Sequence, residues 1–115
     1  MKELELNYQF TFAASHFLTK YHGKCEELHG HNYKIVITIK DKLNEDGMVL
    51  DFKILKSVVR EEVYEKLDHK HLNDIIDNPS AENIAIWIWE KLENKLPLFR
   101  VTVYETENYY CSYYG

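Results

Sequence analysis

The sequence predicts an α+β domain in which an antiparallel sheet carries two helices on one face. Three observations predict it. Apolar and polar residues alternate strictly over two long stretches in the first half and again near the C-terminus. Between them the apolar period changes from two to that of a helix. Turn-forming residues fall at the junctions. A chain of 115 residues is one domain, so residues 1–115 are read as a single unit.

Taken in order, residues 3–15 place Leu4, Leu6, Tyr8, Phe10, Phe12 and Ala14 on one face, with Glu5, Asn7, Gln9, Thr11 and Ala13 on the other. This is a long, half-buried strand. Residues 17–28 lose the period, carry Gly23 and read as a loop. Residues 32–40 alternate again through Tyr33, Ile35, Ile37 and Ile39, β-branched residues that suit a strand. Asn44-Glu45-Asp46-Gly47 is a turn, and Met48 to Phe52 is expected to return from it as a short strand. Ile54, Leu55, Val58, Val59, Val63 and Leu67 then repeat at helical spacing over 53–67. After a polar loop from Asp68 to Asn78, Ser80 is a good N-cap for a helix over 81–95, with Ile84, Ala85, Ile88, Trp89 and Leu92 inward. Pro97 ends it. Phe99, Val101 and Val103 define a strand over 99–105, and Tyr109 to Tyr114 can pair back across the Glu107-Asn108 turn.

Composition narrows the function. A net charge of -5 argues against a nucleic-acid partner, and the densest basic stretch, Lys20 to Lys24 with His22, is too short for a binding stripe. No apolar run approaches the ~18–20 residues of a membrane span, and the N-terminus has no signal-peptide core. Cys25 and Cys111 do not make a disulfide framework, so a reducing, cytoplasmic compartment is expected. The helix-free face of the sheet would be partly apolar, which self-association would cover.

The chemistry gathers around histidines. In His29-Gly30-His31 two imidazoles lie two residues apart in a strand, so both point to one side. His16 ends the preceding strand on the face of Phe12 and Ala14. If the two strands are paired, it comes beside them. Three neutral imidazoles with no fourth protein ligand describe a catalytic zinc site that keeps a position for water or substrate. Three satisfied polar side chains at a sheet rim would give the same pattern. Cys25, four residues before His29, reads either as a readily ionised thiol or as a further zinc ligand. Asp68-His69 can act as an imidazole oriented by a carboxylate, although both residues are also common just past a helix end. His71 and His22 read as solvated loop histidines. Glu105 continues the inward face of Phe99, Val101 and Val103, where a carboxylate needs a partner such as adjacent N–H donors, unless it escapes to solvent at the strand end.

Together these residues resemble the 6-pyruvoyl-tetrahydropterin synthase / 6-carboxytetrahydropterin synthase (QueD) family. The likeness rests on Phe12-Ala13-Ala14-Ser15-His16, Cys25-Glu26-Glu27-Leu28-His29-Gly30-His31-Asn32-Tyr33, Met48-Val49-Leu50-Asp51-Phe52, Leu67-Asp68-His69-Lys70-His71-Leu72-Asn73, Asn78-Pro79-Ser80-Ala81-Glu82-Asn83 and Tyr104-Glu105-Thr106. The resemblance implies the tunnelling fold, an antiparallel four-stranded sheet with two helices packed on one face. It implies homohexamers made as dimers of trimers, with active sites between subunits. It also implies zinc on His16, His29 and His31, Cys25 as catalytic thiol, Asp68-His69 as second proton-transfer group, and Glu105 on the 2-amino and N3 edge of a pterin.

The implied reaction is conversion of 7,8-dihydroneopterin triphosphate to 6-carboxy-5,6,7,8-tetrahydropterin, a queuosine precursor, with loss of triphosphate and acetaldehyde. The short spacing from Cys25 to His29 resembles the carboxy synthases of bacteria and archaea. A pyruvoyl synthase is the alternative. So is a folate-route variant making 6-hydroxymethyl-7,8-dihydropterin, because Glu26 also fits a pattern in which glutamate replaces the thiol. A non-catalytic zinc- or pterin-binding protein would have no need of Asp68-His69. Lys20, Lys24 and Lys70 are the cations placed to offset a polyanionic substrate in an acidic chain.

Overall fold

The computed structural model describes residues 2–19 and 27–115. Strand β1 (Glu3–His16) and strand β2 (His29–Lys42) pair antiparallel in unbroken register, from Glu3 opposite Lys42 to His16 opposite His29. Strand β4 (Leu98–Tyr104) pairs antiparallel with β2, and β5 (Tyr110–Tyr113) pairs antiparallel with β4. These are the four antiparallel strands expected. A fifth strand is added at the other edge. Strand β3 (Lys70–His71) lies parallel to β1, giving the order β3-β1-β2-β4-β5. Two residues are too few to show a period, so this strand had no mark in the sequence.

Met48 to Phe52 is not a strand. Asn44 accepts from the Asp46 and Met48 N–H groups to close a tight turn, and Gly47 takes the left-handed conformation there. Asp51 then caps a helix by accepting from the Lys53 N–H. The apolar run that looked like a strand is therefore a turn followed by a helix start, and Phe52 and Ile54 are exposed.

The first helical rod is α1 (Phe52–Val59), a π-helical segment (Arg60–Tyr64) and α2 (Glu65–Leu67). Its inward residues Leu55, Val59, Val63 and Leu67 repeat every four positions and are fully buried. On an ideal α-helix a four-residue repeat drifts about 40° per step. The wider π turn rotates less per residue and cancels part of that drift, which keeps all four side chains over the sheet. Helix α3 (Ala81–Leu92) starts at Ser80, whose Oγ accepts from the Asn83 N–H, and buries Ile84, Ala85, Ile88 and Leu92.

Both helical rods cover one face of the sheet, where Phe12, Ala14, Tyr33, Ile35, Ile37, Ile39, Val101 and Val103 complete the core. Each buried Ile of β2 contributes roughly 1.5–3 kcal/mol relative to exposure. The other face is polar: Thr38 donates to Asn7 at 2.6 Å, and the Thr102 and Ser112 hydroxyls lie 2.9 Å apart. Among the described residues no helix is long and apolar enough to cross a membrane.

Candidate metal and proton-transfer site

The register of β1 and β2 builds the first half of the site. His16 stands opposite His29, and Ala14 opposite His31, so alternation turns all three imidazoles to the helix-covered side above the buried ring of Tyr33. The rings of His16, His29 and His31 lie edge to face, 4.5, 5.1 and 4.6 Å between centroids. Two of them are fixed by main-chain carbonyls: His16 Nδ1 lies 2.8 Å from the Pro79 oxygen, and His29 Nδ1 lies 3.0 Å from the Glu27 oxygen.

A carbonyl can only accept, so each Nδ1 carries the proton and each neutral ring has its lone pair on Nε2. Yet the two Nε2 atoms face each other at 2.9 Å. Acceptor against acceptor is unfavourable unless a cation lies between them. Four ligands ~2.0–2.1 Å from a tetrahedral ion sit about 3.3 Å apart, a few tenths of an ångström from the observed spacing. His31 Nε2 is 3.3 Å from Glu105 Oε1. The four ligand atoms of His16, His29, His31 and Glu105 all lie within 4.8 Å of one another, so this group can hold a metal ion. Glu105 also borders a small cavity of about 190 Å³ with Ala81, Glu82, Tyr109, Tyr110 and Cys111. Burial, reinforced by Glu82, pushes the Cys111 thiol up and keeps it protonated.

The second half lies at the β3 edge. Asp68 Oδ1 accepts from the Ala13 N–H at 3.1 Å, and Oδ2 lies 2.7 Å from His69 Nδ1. The His69 N–H in turn donates to the Ala13 carbonyl at 2.7 Å. Burial works to raise the Asp68 carboxyl, but hydrogen bonds from Ala13, His69 and Tyr64 outweigh it and hold the group below its ordinary value. His69 has φ +58°, the left-handed region, and its side chain is 81% exposed. It borders an open cleft of about 620 Å³ whose walls are Ala13 to Ser15, Gly30 to Asn32 and His69 to His71. Ser15, Gly30 and Asn32 alternate with the triad histidines, so this cleft opens on the face away from the helices.

The family described as 6-pyruvoyl tetrahydropterin synthase matches residues 5–115. The chain belongs to that family. It is 41% identical over 108 residues to an Archaeoglobus fulgidus protein named as a 6-carboxy-5,6,7,8-tetrahydropterin synthase, covering 93% of this chain and 92% of the other. It is 41% identical over 90 residues to the dihydroneopterin monophosphate aldolase of Pyrococcus furiosus, covering 78% of this chain and 75% of that one. Its fold matches the 6-pyruvoyl tetrahydropterin synthase structure from Caenorhabditis elegans with a TM-score of 0.87 and 27% identity, over 100% of this chain and 97% of that one.

Within this synthase-family chain, the structure brings His16, His29, His31 and Glu105 together and sets His69 and Lys70 along the cleft, with Asp68 bonded to His69. Cys25, Glu26, Lys20, Lys24 and His22 lie outside the described residues. His71 is not a solvated loop residue as expected. It is half-buried, with Nδ1 3.1 Å from Ser15 Oγ and its ring stacked on Phe17 at 5.7 Å. The pairing of β3 with β1 holds it there. Sequence reasoning also missed the groups that hold the chain beyond His16. Asn73 exchanges two 3.0 Å hydrogen bonds with the Phe17 main chain, and Asn78 Oδ1 accepts from the Thr19 N–H at 2.9 Å. Asn78 at φ +46° carried the one available signal, an asparagine just before a proline.

Proposed function

We propose that the protein is a zinc-dependent 6-carboxy-5,6,7,8-tetrahydropterin synthase that acts on 7,8-dihydroneopterin triphosphate and releases triphosphate and acetaldehyde. The observation that carries the metal part is the pair of Nε2 acceptors facing each other at 2.9 Å with both Nδ1 protons committed elsewhere. A zinc ion held by His16, His29 and His31 supplies Lewis acidity toward the oxygens of the substrate side chain. Asp68 holds the His69 ring and its proton on Nδ1, so Nε2 is the atom that exchanges protons with the substrate. Glu105 beside the small cavity is placed to accept from the adjacent N–H groups of a pterin edge. Cys25 is the proposed thiolate base, which removes a proton from the side-chain carbon. The 41% identity to the Archaeoglobus protein, together with the short spacing from Cys25 to His29, supports the carboxy product.

The triad faces the helix-covered side and the Asp68-His69 cleft opens on the other. The proposed working site is composite, as the family resemblance implies: one copy of the chain supplies the metal side and a neighbouring copy supplies His69, in a homohexamer of paired trimers.

Incubation of the purified, zinc-loaded protein with 7,8-dihydroneopterin triphosphate, with products separated by mass, tests the reading. Carboxytetrahydropterin with stoichiometric acetaldehyde is expected. A pyruvoyl product would overturn it. So would a hydroxymethyl product, the outcome favoured if Glu26 rather than Cys25 is the base. The likeness to the Pyrococcus aldolase gives that second reading its support. In that case Glu26→Gln would abolish turnover while Cys25→Ala would spare it.

A further inference from the structure

We propose that His71 is a specificity-determining residue of the cleft, binding the anionic phosphate tail of the substrate. The inference deepens the reading above and rests on it for one point, that the substrate is phosphorylated.

Three observations carry it. First, His71 is held in place on two sides. Its main chain pairs with Ser15, its Nδ1 meets the Ser15 hydroxyl at 3.1 Å, and its ring stacks on Phe17 at 5.7 Å and 29°. A ring fixed on one edge and one face has its Nε2 left for a ligand, with little rotamer entropy still to lose. Second, His71 borders the same 620 Å³ cleft as His69, so a molecule placed for proton transfer at His69 extends past it. Third, the cleft's sign is opposite to that of the chain. The sequence carries 19 acidic against 14 basic residues, yet the residues described along the cleft include Lys70, His69 and His71 and no carboxylate. N–H donors are what phosphate oxygens require, and the nearest carboxylate, Asp68, is already bonded to the His69 ring and the Ala13 N–H. The segment from Asp68 to His71 would thus do two things at once, moving protons at His69 and gripping the tail at His71.

Isothermal titration of the zinc-loaded protein with inorganic triphosphate and with orthophosphate tests this without any turnover. Wild type is expected to bind triphosphate more tightly than orthophosphate. His71→Leu should weaken triphosphate binding about tenfold or more and narrow the preference, as loss of a charge-assisted hydrogen bond does. His71→Gln, which keeps a donor, should lose less, and Ser15→Ala should fall between wild type and His71→Leu. These two variants decide the matter if His71→Leu fails to fold. Lys91→Ala, which removes a positive charge on α3 outside the cleft, should leave binding within twofold. Triphosphate affinity unchanged in all the His71 and Ser15 variants overturns the proposal, including the case in which the metal alone holds the probe. Zinc content measured after titration identifies that case. Loss of binding in His71→Leu with no carboxy product in the mass assay would leave this inference standing and bring down the reaction assigned above.

Discussion

The histidine triad and the Asp68-His69 edge face each other across one sheet and are built in opposite ways. The triad stands on two strands in unbroken register over a fully buried tyrosine, and main-chain carbonyls of Pro79 and Glu27 set two of its tautomers. The edge pair stands on a two-residue strand, with its imidazole exposed, its backbone in the left-handed region, and a side-chain carboxylate as orienting group. A metal site must keep fixed ligand geometry, and rigid strands with main-chain partners provide it. A proton-transfer group must meet a substrate that arrives and leaves, which favours an exposed ring fixed at one atom. The strain at His69 is stored where the chemistry is proposed.

Substitutions can break this contrast, beginning with the largest effect. His29→Ala should lose at least about 100-fold in zinc affinity, since losing even an outer-shell partner costs 10–100-fold, and turnover should vanish with the metal. Metal analysis of the dialysed protein checks this. His69→Ala should keep full zinc content and lose roughly 10²–10⁴-fold in turnover. If zinc were lost as well, the two regions would not be separable. Mixing these two inactive variants under conditions that exchange subunits should restore turnover to roughly a quarter of wild type, because random assembly rebuilds that share of composite sites. No recovery would place the whole site within one chain.

Smaller effects sharpen the edge region. Asp68 has a lowered pKa in the folded chain, so its contribution to stability is complete above the ordinary carboxylate value of 3.8 and is lost as pH falls through the lower folded value. Asp68→Asn should flatten that acid limb, which circular dichroism followed from pH 6 downward, over about four units, would show. Smallest of all, His69→Gly should be about 1 kcal/mol more stable than His69→Ala, because alanine pays for φ +58° and glycine does not. Equal melting temperatures of the two variants would mean that the backbone there relaxes.

The two regions also differ in how far the sequence discloses them. His16 and His29-Gly30-His31 were legible because a strand's period of two fixes which side chains share a face, and the alternation on both sides of the loop set the register. Glu105 was legible for the same reason, one residue past β4. Asp68 and His69 could be named only through family resemblance, since the loop containing them has no period. Ser15 and His71 could not be paired at all, being 56 positions apart and joined by a strand of two residues. Met48 to Phe52 was misread because a short apolar run fits a strand as well as a turn leading into a helix, and Asp51 as cap decides for the helix.

By itself the sequence determined the α+β class, the face each long strand buries, and the convergence of three imidazoles, because these follow from periodicity and short-range spacing. The tertiary structure alone decided the β3 edge, the π turn that keeps the first rod in register with the core, and the carbonyls of Pro79 and Glu27 that leave two Nε2 lone pairs face to face. Those depend on contacts between segments far apart in the chain, whose partners no local pattern of residues can specify.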